Sequence, residues 1–600
     1  MKHSRFFIFI KVLLIGIIFI SCTNPLNTNT EEDSTSESSC SDTSSTDTTD
    51  DSSDDNSSSE TSTDTSSTIS VTSDTTEYIN SSYVQTISLN QSYDISAFEG
   101  KKAFLVVTNT SSSSASLSSA SSSSSVSSIN YDEEAETSSD VSISQFLNEP
   151  FNPENPDFSP VISSARSLNA STSSTSYSLG DTKDFYGATS SGTSTSAYGE
   201  DSVLKVIGEH CYVWYKEKDG ISVTDDQLQT LADTFDSIYE KETYIFGDNY
   251  DENCNYSNLI DIQSEQMVNL LVYDIFDDYS SGQSSGTFGY FWSFDFWLND
   301  DDAEESYMSN ECECLHLDSY FLEAAEDYMR STIAHEFQHL LHFVNKTIKY
   351  ATSNGSSSFR YSSTWFNEMM SMVCEDIMQS QIELDDDDSP KSRLPYFNAN
   401  HYLGFSTWYS SSNSKIYSAY ANAYTFGAFL VRNFGIDFIK ELAQSTYIDE
   451  TAITKALVAQ GASLESFDEV LDQYYNTILT PEETEYTLNK TATKTYSDVG
   501  GSDSVTFTCS AINLKDYKTI SASQMSSTYA SYYYGATKRT AYYGPLILNT
   551  QLYYSTLYPY GMFASYWGTV GDDDLPTTYS LSSTITSSSD NLVYKLVFMD

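Results

Sequence analysis

Residues 335 to 339 read His-Glu-Phe-Gln-His, two imidazoles and a carboxylate at the spacing that lets one metal ion and one water share a helix face. At about 100° and 1.5 Å per residue, His335 and His339 stand one turn apart and about 40° around the axis, so both rings reach the same ion. Glu336 lies at the edge of that face, where it can take a proton from a water on the metal without being a ligand. The stretch must be helical for this to hold. Ile333, Phe337, Leu340, Leu341 and Val344 supply the period of an amphipathic helix, centred roughly 180° from the histidines. A buried helix with locally hydrogen-bonded histidines is the competing account. Against it, three of only 7 histidines in the chain fall at His335, His339 and His342.

A hydrolytic zinc site needs a third protein ligand and an open position. Residues 364–378 read as a second helix that carries Asn367-Glu368 in its first turns. Glu368 is the leading third ligand, with His342 and Glu375 as rivals. A His-Glu-x-x-His helix followed by Asn-Glu on another helix resembles the glutamate-zincin clan. More narrowly, Ala334-His-Glu-Phe-Gln-His-Leu-Leu-His-Phe343 with Trp365-Phe-Asn-Glu368 is similar to the hyicolysin family of secreted bacterial metallopeptidases. Gly208-Glu-His-Cys-Tyr212, Gly289-Tyr-Phe291 and Ser309-Asn-Glu311 resemble the same family's upstream region, so the likeness covers about residues 203–445.

The resemblance implies His335, His339 and Glu368 as zinc ligands, Glu336 as the base, one catalytic zinc, and protein or peptide substrates. A three-histidine zincin would need a glycine at 342 and a histidine at 345, where this chain has His342 and Asn345. Many glutamate-zincins place an acid one turn after the ligand glutamate to orient a histidine. Here that position is Met372, which leaves Glu375, Asp376 or a backbone carbonyl for the task. The oxyanion also needs a donor. Tyr424, in Tyr420-Ala-Asn-Ala-Tyr-Thr-Phe-Gly427, resembles the tyrosine that aminopeptidases of the clan place before a glycine-bearing helix, with Tyr420 and His401 as competitors.

The elements that must hold these groups come as strands first and helices afterwards, the order of an α+β domain. Strands are expected at 203–215, 267–276, 286–296 and 311–317, a helix at 225–241, the histidine helix at 318–345, and helices onward to about 475. The expected architecture is a zincin-like catalytic domain over 201–480, a mixed sheet plus a helical subdomain. A small β-rich domain with serine-rich inserts is expected at 76–200, and a β-sandwich-like domain at 485–600. The strand before the histidine helix is expected to be the sheet edge that pairs with an extended substrate. Residues 22–75 are nearly all Ser, Thr, Asp, Glu and Asn and read as a disordered tether.

Lys2, Arg5 and Lys11 flank an apolar run that ends at Ser21-Cys22, the layout of a signal peptide over 1–21. Phe19-Ile20-Ser21-Cys22 resembles a relaxed bacterial lipobox. That implies lipidation at Cys22 and residence in a bacterial cell envelope, at the outer membrane or cell surface. A net charge of −57 repels phosphate backbones and excludes nucleic acid as a partner. Acid runs at 300–302 and 385–388 are places for structural calcium, though none has the spacing of a defined loop. Six cysteines lie beyond the tether, at 211, 254, 312, 314, 374 and 509, and their pairing is unreadable. Cys312 and Cys314 share one face of a strand, so no bond between them is expected, and a single intervening residue is not the usual spacing of a zinc pair.

A membrane-anchored zinc endopeptidase acting on extracellular protein is the reading these features favour. A surface adhesin with a vestigial peptidase domain, whose binding would reside in the tyrosine clusters at 532–543 and 553–560, is the alternative.

Overall fold

The computed structural model describes residues 68–79, 82–119, 125–126, 147–149, 151, 176–299, 305–355, 359–410, 413–479, 485–521, 541–549, 552–573, 575–580, 585–587 and 590–600. The signal peptide, Cys22, nearly all of the tether, the acid run at 300–302 and most of the first tyrosine cluster lie outside them. Every described residue belongs to one compact unit of the chain, within residues 65–600. Among the described residues no helix is long and apolar enough to cross a membrane.

A six-stranded sheet organises the central region. Its strands are β1 (Thr182–Ala188), β2 (Thr195–Ile207), β3 (Cys211–Tyr215), β4 (Val268–Tyr273), β5 (Gly289–Phe291) and β6 (Cys314–Asp318), in the spatial order β5-β6-β4-β3-β2-β1. The β3, β4 and β6 strands run parallel, and both flanks are antiparallel. Val268 to Tyr273 is buried on both faces, as a central parallel strand requires. The expected single strand at 203–215 is a hairpin instead. Its turn carries Gly208, where a Cβ would lie 2.6 Å from Asp236 Oδ2, and Asp236 accepts the backbone N–H groups of Glu209 and His210.

Two further expectations need correction. The edge strand is β5, not β6, which lies between β5 and β4. The histidine helix is not continuous from 318 to 345. Asp318 caps a short helix (Ser319–Ala324), Ala325 leaves helical geometry at φ −145°, and the helix proper begins at Glu326.

Two helices, α1 (Asp225–Phe246) and α2 (Glu326–His342), pack on the sheet, α3 (Thr364–Met378) packs on α2, and α4 (Ile416–Phe434) packs on α3. A π-helical turn, Phe343–Ile348, follows α2. Ile333, Phe337, Leu340, Leu341 and Val344 are all fully buried, each contributing roughly 1.5–3 kcal/mol to holding the histidine helix in place. The opposite face of the sheet has a smaller core of its own, built on Trp214, Leu271, Tyr273, Tyr290, Trp292 and Cys314.

The flanking regions do not divide as expected. The segments Glu77–Ile79, Ser82–Ile87, Leu592–Met599, Lys102–Asn109, Met562–Thr569 and Ile547–Leu548 form one sheet in that order. Amino-terminal and carboxy-terminal strands thus share a sheet and a core rather than closing two domains. Strands β1 and β2 begin before residue 201 and belong to the central sheet. Tyr553, Tyr554 and Tyr560 are buried, with Tyr554 stacked on Tyr402 at 3.9 Å, so these rings serve the core rather than an open binding face. The run at 385–388 ends in a 3-10 turn whose Asp386 pairs with Lys391 at 2.7 Å.

Candidate metal centre

Helix α2 presents His335 and His339 one turn apart, and α3 lies across it with Glu368 in its second turn. Both imidazoles aim Nε2 at Glu368 Oε2, His335 at 3.2 Å and His339 at 3.7 Å. One donor atom from each of the three residues falls within 4.8 Å of the others. Two imidazoles and a carboxylate at such separations are the donor set of a catalytic zinc site with an open position.

Each ring is fixed from behind. His335 Nδ1 lies 2.7 Å from Glu375 Oε1, and the other oxygen of Glu375 accepts the Ser331 hydroxyl at 2.6 Å. His339 Nδ1 lies 3.1 Å from Asn367 Oδ1 and 2.9 Å from Ser371 Oγ. Glu375 therefore takes the orienting role that Met372 cannot fill, two turns after Glu368 rather than one. Asp376, the other acid considered for this, is bound to Arg432 at 2.7 Å. His342 meets Ser362 at 2.7 Å and stays apart from the three-donor cluster.

The electrostatics favour a cation at this point. Burial works against charge on His335, but Glu368 and Glu375 outweigh it and push the imidazole up to about 10. Burial brings His339 down to about 4, helped by the charge on His335. Burial alone would raise Glu368, yet the histidines hold it below the usual carboxylate range. Because His339 is neutral above about 4, the holding charge at neutral pH is that of His335. Burial pushes Glu336 up to about 8, while the backbone N–H of Phe291 on the edge strand works the other way. A cation held between the imidazoles and Glu368 would supply the positive charge that the surrounding carboxylates demand.

His335, Glu336, His339 and Glu368 line one cavity together with Asn367, Arg393 and Tyr420. Gly289 and Phe291 of β5 form a wall, and Asn148 and Phe151 approach from the amino-terminal side. Leu147–Asn148 runs parallel to Ser285–Gly286, and Phe151 lies edge-on to Tyr290 with ring centres 5.2 Å apart. Residues 207–481 of the chain match the peptidase M30 family. This segment is a peptidase M30 domain, of the hyicolysin type of metallopeptidase. The neutral metalloprotease ShpI of Staphylococcus hyicus is 26% identical over 267 residues, which cover 42% of this chain and 53% of that protein. The chain thus spans about half the length of that relative. The match to the M30 domain runs from the end of β2 past α4 and takes in every residue lining the cavity except Asn148 and Phe151.

The expected oxyanion donor is corrected by the geometry. Tyr424 is fully buried and donates its hydroxyl to Asp376 at 3.2 Å, away from the cavity. Tyr420, one turn earlier on α4, lines the M30 cavity and hydrogen-bonds Glu368. His401 is buried outside the cavity lining. Arg393, at the end of the 3-10 turn Pro390–Arg393, went unforeseen, because a lone arginine carries no spacing signal. Its guanidinium stands 5.0 Å from the centre of the Tyr420 ring. Of the upstream motifs, Gly289-Tyr-Phe291 lines the cavity and the other two act as scaffold. His210 stacks on Tyr239 at 3.9 Å, and Asn310 donates to Asp295 at 2.9 Å.

Proposed function

We propose that the M30 domain is a zinc-dependent endopeptidase with His335, His339 and Glu368 as ligands and Glu336 as general base. The observation that carries this reading is the convergence of the three donors within 4.8 Å, with Glu336 beside them in the same cavity. The donor set suits zinc because two neutral imidazoles and one carboxylate leave a net positive charge that makes a water acidic. When bound, zinc supplies the Lewis acidity that brings such a water near neutral pKa.

The chain's own groups do the rest. Glu336 accepts the water's proton and delivers it to the leaving nitrogen, the Phe291 N–H holding its carboxylate in place. Tyr420 donates to the oxygen of the attacked carbonyl as negative charge develops there. An extended peptide pairs with the outer edge of β5, which has β6 on one side and no strand on the other among the described residues. Pairing through main-chain groups in mid-segment suits internal cleavage of proteins.

The test is metal analysis combined with casein digestion. About one catalytic zinc, chelator-sensitive cleavage, and loss of cleavage in Glu336→Ala with that metal retained are expected. A Glu336→Ala protein that digests casein at the native rate would remove Glu336 from the mechanism. The amino-terminal sequence supports a lipid anchor at Cys22 in a bacterial envelope. Fatty-acid labelling of cells that is abolished by Cys22→Ser tests it, and labelling that survives the substitution would count against it.

A further inference from the structure

The sheet has a second cluster of ligand-type side chains, on the face turned away from the histidine helix. Cys314 and His316 are two apart on β6 and so present to the same side, and Cys312 lies in the bend just before that strand. Asp295, from the turn Ser293–Phe296, reaches the same point. One donor atom each from Asp295, Cys314 and His316 falls within 4.8 Å of the others, and all three residues are buried. Cys312 touches Cys314 and takes its backbone N–H to the Asp295 carbonyl at 3.0 Å.

We propose that Cys312, Cys314, His316 and Asp295 form a second, structural zinc site, beyond the one catalytic ion expected from the motif. Two thiols, an imidazole and a carboxylate are a closed tetrahedral donor set. Their orientation is already fixed. Asn310 donates its backbone and side-chain N–H groups to Asp295 Oδ1 at 3.1 and 2.9 Å. His316 is stacked on Tyr290 at 4.3 Å, with the Tyr273 hydroxyl 3.3 Å from Nδ1. The 2.8 Å contact between His316 Nε2 and Asp295 Oδ2 needs to open by only about half an ångström to admit an ion, given metal–ligand bonds of about 2.0 Å.

Charge supports the assignment. Two thiolates and a carboxylate carry three negative charges, which one divalent ion and one ammonium cancel. Lys183 of β1 supplies the ammonium, its Nζ 3.5 Å from Cys312 Sγ. Cys312 and Lys183 are the partly exposed members of the cluster, and give the ion a way in. Bound zinc would tie β6 to the loop after β5 and, through Lys183, to the far edge strand. A one-residue gap between cysteines is unusual for zinc. Here the bend before β6 brings Cys312 against Cys314, and the strand's alternation adds His316.

Cobalt(II) substitution of the full chain separates this site from the peptidase centre, because only cysteine ligands give the intense near-ultraviolet thiolate-to-cobalt band. Expected results are that band in the native chain, its loss with one ion in Cys314→Ser, and its persistence in His335→Ala. X-ray absorption of the native zinc protein needs no variant and should show sulfur scatterers at about 2.3 Å. A zinc spectrum with nitrogen and oxygen scatterers only, or a Cys312–Cys314 disulfide found by mass spectrometry, would overturn the proposal. Neither result bears on the catalytic centre.

Discussion

Two tyrosines one helical turn apart, Tyr420 and Tyr424, show how a single residue's role is decided. Only the first reaches the cavity, so Tyr420→Phe should lower kcat by about 10²–10³-fold while metal is retained, as measured in peptide hydrolysis. Tyr424→Phe should leave hydrolysis near native and cost about 1 kcal/mol in thermal unfolding, the worth of its bond to Asp376. The reverse pattern would restore the sequence expectation. Glu375 acts on His335 rather than on substrate. Glu375→Ala should weaken zinc affinity roughly 10–100-fold in a chelator competition, and unchanged affinity would deny it that role. The ligands were legible because helical period alone brings His335 and His339 together. Glu375 and Tyr420 were legible only as candidates among others, since their places depend on how α3 and α4 lie against α2, which no local spacing encodes.

At the level of elements, the contact between α3 and α4 decides which side chains face the metal. Gly427 makes that contact possible: a Cβ there would lie 2.5 Å from Val373 Cγ2 and 2.8 Å from Met369 Cγ. Gly427→Ala should therefore destabilise the fold by about 1–3 kcal/mol and displace Tyr420 from Glu368, which melting curves and kcat would both register. Beside these helices, the 3-10 turn His401–Leu403 carries a pH response. Burial brings His401 down to about 4 from its ordinary 6.5, against the pull of the Phe397 and Asn398 carbonyls. Below pH 6.5 the unfolded chain takes up a proton that the folded chain refuses, so this contribution to stability is full above 6.5 and drains away toward pH 4. Native protein should lose up to about 3 kcal/mol more than His401→Gln over that range in acid titrations of unfolding. Equal losses would show that His401 does not sense the pH. Helices with strong apolar period were readable in sequence. The break at Ala325 and the hairpin at Gly208 were not, because Ala325 interrupts a pattern that continues on both sides of it and the hairpin is held by a side-chain clamp from distant Asp236.

Across the whole molecule, composition marked the chain's two ends as β-rich but could not show that they pair with each other. Strand Leu592–Met599 lies between Ser82–Ile87 and Lys102–Asn109, so its removal leaves two neighbours with unpaired edges. A chain ending at residue 590 should fail to give a cooperative transition for this sheet in calorimetry, and a native-like melt would contradict the topology. The same arrangement also governs what a stray cut can do. Hydrolysis of the chain anywhere in the serine-rich stretch before β1 separates the first strands from the rest only on paper: they stay clamped between partners from the far terminus. Such a nicked protein would run as two bands in detergent yet elute from a sizing column as one particle, its wound closed by hydrogen bonds instead of a peptide.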